Sequence, residues 1–120
     1  MRRLVPRVSV VMPVHAQAAW VPRAVGSLLA QDEEDWELVV VDDGSPDDVA
    51  AALPADPRIS LLRLERNGGL GAALNAGLDR TTAQAVAYLP ADDVWHAGHL
   101  STLVPLLDGA AAARSRARSR

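Results

Sequence analysis

Four short apolar runs alternate with stretches of helical spacing, and that alternation limits the folds open to this chain. "RVSVVMPV" is β-branched and bounded by prolines, which predicts a strand over about 7–13. "ELVVVDD" predicts a second, over about 37–42; its apolar residues do not alternate, as in a parallel strand covered on both faces. "ISLLRLE" and "AQAVAYL" supply strands over about 59–65 and about 84–89. "WVPRAVGSLLAQ" places Val21, Ala24, Val25, Leu28 and Leu29 at helical spacing, with Pro22 tolerated in the first turn. "SPDDVAAAL" has the marks of a helix start: Ser45 as cap, Pro46 at the first position, and acids at the positive end. "RNGGLGAALNAGLDRT" is a Gly-rich turn entering a helix over about 69–80. "HAGHLSTLVPLLDG" reads as a last helix, kinked or shortened at Pro105. The order βαβαβαβα predicts an α/β fold with a doubly wound, mainly parallel sheet.

Composition narrows the chemistry. With 120 residues, 49% of them apolar, the chain can bury a core of its own. It has no cysteine, which excludes disulfides, thiolate metal sites and Cys nucleophiles. All 12 basic residues are Arg, so no mechanism that needs a lysine is available. A net charge of −3 gives no field for nucleic acid. The apolar runs fall far short of the roughly 20 residues a membrane span needs. The opening "MRRLVPRVSVVMPV" lacks a long apolar region and reads as a first strand rather than a leader, so a cytoplasmic location is expected.

Open parallel sheets bind ligands at the carboxyl ends of their strands. Three polar segments fall there: "PVHAQ", "DDGSPDD" and "PADDVW". The pairs Asp42–Asp43 and Asp92–Asp93 are therefore expected on one sheet edge. Adjacent carboxylates can hold a hard divalent cation, accept hydrogen bonds from a sugar or base, or act as acid and base. Turn and helix-start chemistry also accounts for them.

Four segments in order carry a resemblance. "VSVVMPV" is followed by a helix ending "SLLAQ", then "ELVVVDDGS", "NGGLGAALNAG" and "LPADDVWHAGHL". Over about residues 7–107 this resembles a family 2 glycosyltransferase, whose nucleotide-sugar-binding fold is called GT-A. The resemblance implies transfer of a sugar from a nucleoside-diphosphate sugar to an acceptor hydroxyl, by inversion, with Mg²⁺ or Mn²⁺. It implies that Pro13 and Val14 line the base pocket. It places Asp42 and Asp43 at the nucleotide, with Asp43 accepting from a base N–H. Asn67, Gly71 and Asn75 would shape the nucleotide side of the Gly-rich turn. Asp92 would lie near the ribose and the metal, and Asp93 would be its direct ligand.

The chain also departs from the family pattern. Pro90 replaces the first acid of the D-x-D signature, His15-Ala16 replaces Tyr-Asn, and Leu74 stands where an Arg is common. No residue matches the family's catalytic base, which is expected in a C-terminal half beyond this chain. The implied domain is 7–109, incomplete at its C-terminus, with 110–120 an Ala/Arg-rich disordered tail. A noncatalytic nucleotide-binding or interaction domain stays open as the alternative. Peripheral association with the inner face of a membrane, and self-association through an exposed sheet edge, stay open too.

Other readings are weaker. "GGLGAAL" has Leu74 where a dinucleotide fingerprint needs its third glycine, and it follows the third strand rather than the first. The absence of Lys excludes a P-loop and the late-strand lysine of a receiver domain. His96 and His99 share a helical spacing that allows a metal site near Asp92, but they are expected as exposed residues at a helix start. Trp20, Trp36 and Trp95 are expected to pack at the ends of elements.

Overall fold

The β-branched runs form the predicted strands. In a computed structural model, which describes residues 5–108, β1 (Val8–Val14), β2 (Trp36–Asp43), β3 (Ile59–Leu64) and β4 (Ala85–Tyr88) make one sheet. The order is β3-β2-β1-β4, and every pairing is parallel. The helices are α1 (Val21–Leu29), α2 (Leu70–Leu78) and α3 (His99–Asp108). The expectation for 110–120 lies outside the described residues.

Strand periodicity divides the core into two layers. Val8, Val10, Met12 and Val14 of β1 pack with Leu38 and Val40 of β2 under α1 and α3. Val11, Val39 and Val41 face the other way and meet Ala73 of α2. Both faces are covered, which explains why β1 and β2 lack alternation. At nine residues α1 is too short to persist alone. It holds because Val21, Val25 and Leu28 are buried, each worth about 1.5–3 kcal/mol. Ser9, buried in β1, donates to Glu37 and accepts the Ala83 N–H at 3.0 Å. Among the described residues, no helix is long and apolar enough to cross a membrane.

Three local expectations need correction. The segment after Ser45 does not form an α-helix; only a 3₁₀ turn at Ala50–Ala52 appears. Ser45 cannot cap it, because its hydroxyl faces β1, donating to the Val14 carbonyl at 3.4 Å and accepting the Ala16 N–H at 3.1 Å. Asp48 takes the Ala51 N–H at 3.1 Å, and Leu53, which precedes Pro54, is extended. The last helix starts at His99 and runs past Pro105 to Asp108. The carbonyl of Ser101, which loses its helical donor to Pro105, belongs to an exposed residue that water can reach. Trp36 and Trp95 are buried as expected, with the Arg58 guanidinium over the Trp36 ring, but Trp20 is half exposed.

Glycine at 77 seats α2 on the sheet. A Cβ there would lie 2.6 Å from Val11 Cγ1 and 3.0 Å from Val41 Cγ2. Gly71, on the same helix, has open space around it. Urea unfolding of Gly77→Ala should show a loss of about 1–3 kcal/mol from overpacking. Gly71→Ala should be neutral or gain up to about 1 kcal/mol from helix propensity. Equal effects at the two sites would contradict this seating.

Candidate functional site

Strands β1 and β4 part company partway along. Their pairing ends at Val11 with Tyr88, whereas β1 stays paired with β2 to Val14 and Asp42. The Leu89 N–H still donates to the Val11 carbonyl at 3.0 Å, and Pro90 then leads the chain away from the sheet. Pro13 therefore falls where β4 no longer pairs, so its missing N–H breaks no ladder bond on that side. The chain order also reverses at this point: β1, β2 and β3 run one way, and β4 lies on the other side of β1. Such a switch point opens a crevice at the carboxyl ends.

A cleft of about 250 Å³ lies there. Pro13 and Val14 of β1, Tyr88 at the end of β4, Pro90 just beyond it, and Leu70 and Ala73 of α2 make its apolar lining. His15, Gln17, Asp43, Asn67 and Asp92 add polar groups. Five of the expected residues are thus brought together: Pro13, Val14, Asp43, Asn67 and Asp92. Asp42, Gly71, Asn75 and Asp93 do not line it. Tyr88 went unnoticed in the sequence, although its place at the end of an apolar run marked it by the strand-end rule that picked out Pro13.

The two acids of β2 separate because successive strand residues face opposite sides. Asp42 turns to the α1 face, is buried, and accepts the Ser45 N–H at 2.9 Å. Arg63 Nε lies 4.0 Å from its other oxygen. Asp43 turns to the α2 face and accepts the Gly68 N–H at 2.8 Å and the Gly69 N–H at 3.0 Å, one on each oxygen. It thereby satisfies the N–H groups that lead into α2, whose N-cap residue, Gly69, has no side chain of its own to cap the helix. A carboxylate has about four acceptor sites, so two remain for other donors.

His15 spans the same corner. Its Nδ1 lies 2.8 Å from the Asp43 carbonyl, an acceptor, so Nδ1 carries the proton. Its Nε2 is then an acceptor for the Asn67 amide at 3.2 Å. Asn67 Oδ1 in turn accepts the Gly69 N–H at 3.0 Å. The ends of β1 and β2 and the start of α2 are joined in one network. Gly44, at φ +67°, lets Arg66 and Asn67 pass over the end of β2; a Cβ there would lie 2.5 Å from the Asn67 nitrogen.

Asp92 is exposed at the cleft, whereas Asp93 is half buried and accepts the Val94 N–H at 2.9 Å. Among the described residues no group of three His, Asp or Glu side chains gathers as a metal cage. The donor set still suits a hard cation: Mg²⁺ and Mn²⁺ favour oxygen ligands, and Mg²⁺ uses one or two carboxylates plus substrate phosphates and water. The histidines differ from expectation. His96 is exposed, but His99 is half buried and stacks on Trp95 with ring centroids 4.3 Å apart. Its Nε2 is buried without a hydrogen-bond partner. Burial, then the charge of His96, lowers the His99 pKa against the opposing pull of Asp93.

Two predictions follow from this geometry. Ala16 sits at φ +55°, a region that costs an ordinary residue about 1–2 kcal/mol and that Asn and Gly adopt more readily. Ala16→Asn and Ala16→Gly should raise the melting temperature, and Ala16→Val should lower it. For His99 the folded state favours the neutral ring, so the unfolded chain takes up protons first. Its contribution is complete above the unfolded pKa of about 6.5 and fades as pH falls below it. His99→Phe, which keeps the stacking, should lose less stability than the parent between about pH 7.5 and 5.5 in thermal melts.

Comparison with known proteins agrees with this architecture. The family model described as "Glycosyl transferase family 2" matches residues 9–115. The succinoglycan biosynthesis protein ExoO of Rhizobium meliloti is 38% identical over 110 residues, covering 90% of this chain and 32% of that protein. The crystal structure of Staphylococcus aureus TarS 1-349 in complex with UDP-GlcNAc superposes with a TM-score of 0.75 at 26% identity, covering 84% of this chain and 31% of that one. The mannosyltransferase PcManGT of Pyrobaculum calidifontis, in complex with GDP-Man and Mn²⁺, gives 0.73 at 29% identity, covering 83% and 31%. The chain spans about a third of the length of curated relatives such as ExoO. With a family match over most of its length and a parallel sheet like those of solved GT-A enzymes, the chain belongs to glycosyl transferase family 2.

Proposed function

We propose that the cleft between β1 and β4 holds the nucleoside-diphosphate sugar in a glycosyl transfer to an acceptor hydroxyl. The observation that carries this reading is the meeting of an apolar wall with Asp43, Asn67 and Asp92 at the switch point of the sheet. In the transfer, the bond from the anomeric carbon to the diphosphate breaks, a bond to the acceptor oxygen forms, and the acceptor O–H gives its proton to a general base, for which the family resemblance finds no match among these residues. Inversion follows the family resemblance, and the nucleoside diphosphate leaves with added charge. A divalent ion, when bound, neutralises that charge.

The residues divide the work by chemistry. Pro13 and Val14 offer an apolar surface to the base, and Leu70 extends it from α2. Asp43 has two acceptor sites left for a base or ribose donor after binding Gly68 and Gly69. Asn67 holds the Gly-rich turn beside it. Asp92, with Asp93 one residue on, would hold Mg²⁺ or Mn²⁺. Asp42 supports the site from the other face through Ser45. Gly71 and Asn75 face solvent on α2, so a direct role for them would need donor groups that reach beyond the cleft. Support for nucleotide-sugar chemistry also comes from UDP-GlcNAc on TarS and GDP-Man with Mn²⁺ on PcManGT.

A thermal-shift panel tests the reading. UDP, GDP and dTDP are each added with and without Mn²⁺. A nucleotide at 100 times its Kd should add about 2.7 kcal/mol of stability, and Mn²⁺ should strengthen the effect for at least one nucleotide. Asp92→Ala or Asp93→Ala should remove the Mn²⁺-dependent part and leave the ligand-free melting temperature nearly unchanged. No shift with any nucleotide would overturn the proposal.

A further inference from the structure

The loop that carries Asp92 and Asp93 is tied down by a helix that contributes nothing to the cleft lining. Ser27 lies on α1 and Gln31 just beyond it, four residues apart and both buried. The Trp95 N–H donates to Ser27 Oγ at 3.1 Å. Gln31 Nε2 donates to the His96 carbonyl at 2.7 Å and to the Ser27 carbonyl at 3.1 Å. Gln31 Oε1 accepts the Leu100 N–H at 2.9 Å. The Asp32 N–H adds a bond to the Ala97 carbonyl at 2.9 Å.

These bonds do two things at once. Leu100 belongs to the first turn of α3, where an N–H has no partner within its own helix, and Gln31 supplies that partner from another element. Trp95 and His96 lie two and three residues beyond Asp93. Upstream, the loop leaves the sheet at Leu89, bonded to the Val11 carbonyl. The two acids are therefore held between a strand anchor and a helix anchor. An all-apolar contact between α1 and α3 would leave the Trp95 and Leu100 N–H groups buried and unpaired.

We propose that Ser27 and Gln31 are positioning residues: through the Trp95–Leu100 backbone they set where Asp92 stands in the donor cleft and where Asp93 stands beside it. This inference rests on the donor-site reading above. Groups that orient a metal-holding side chain typically change metal affinity by about 10–100-fold when lost. Their effect should fall on the metal-dependent part of nucleotide affinity alone.

The test combines calorimetric titration of UDP and GDP, with and without Mn²⁺, with amide hydrogen exchange at Trp95 and Leu100. Ser27→Ala removes two bonds, the one from the Trp95 N–H and the one within α1 to the Ala24 carbonyl, and is the gentle variant; Gln31→Met removes three. In Ser27→Ala, exchange at Trp95 should quicken about tenfold. The gain in nucleotide affinity on adding Mn²⁺ should fall by about tenfold, with the Mn²⁺-free affinity retained. Ser27→Thr, which keeps the hydroxyl, should restore both. If Trp95 exchange quickens while the Mn²⁺ gain survives, the bonds serve stability only and the proposal is wrong. It is equally wrong if affinity falls alike with and without Mn²⁺. Absence of nucleotide binding in the parent chain would instead overturn the donor-site reading, and the positioning role with it. Should Gln31→Met not fold, the Ser27 pair of variants decides.

Discussion

Everything at the carboxyl edge depends on β1 keeping one neighbour after it has lost the other. Pairing with β2 continues to Val14, while pairing with β4 stops at Val11. A strand cannot leave a central position in a parallel sheet without exposing backbone groups, unless the sequence removes or satisfies them. Pro13 removes a donor on the side where β4 has gone. The Val14 carbonyl beyond it accepts from Ser45. The cleft is thus a consequence of strand pairing, and its apolar walls are residues that would otherwise be core.

The polar edge is built by the same economy of groups. Asp43 satisfies the start of α2 and still presents unused acceptor sites beside the cleft. His15 ties the end of β1 to the Asp43 carbonyl with one nitrogen and to Asn67 with the other. Where the resemblance implies Tyr-Asn, this chain carries His15-Ala16, and the two changes differ in kind. His15 puts a smaller imidazole, hydrogen-bonded at both nitrogens, in place of a phenol ring. Ala16 occupies a left-handed conformation that suits Asn, so that exchange leaves local strain.

Much of this could be read from sequence because it rests on short-range rules. Non-alternating valines announced buried parallel strands, and the glycines of "NGGLGAALNAG" announced a turn entering a helix. Strand-end logic then put Asp43 and Asp92 on one edge, where the cleft has them. What escaped were long-range partners. Ser45 looked like a helix cap because its true partners, Val14 and Ala16, lie about 30 residues upstream. Asp42 looked like a second nucleotide contact beside Asp43, although strand periodicity sends the two to opposite faces. Ser27 and Gln31 looked like ordinary helix residues, since their bonds to Trp95, His96 and Leu100 cross 65 to 69 positions. Polar residues beside a helix's buried stripe were the available signal.

The proposed nucleotide site is the crevice where β1 and β4 diverge. Backbone amide shift mapping by NMR, with UDP and GDP titrated into the labelled chain in the presence of Mg²⁺, tests it most directly. The amides of His15, Gly68, Gly69 and Asp92 should move together and saturate with one affinity. Shifts centred instead at the opposite end of the sheet, near Ser9, Glu37 and Thr82, would contradict it.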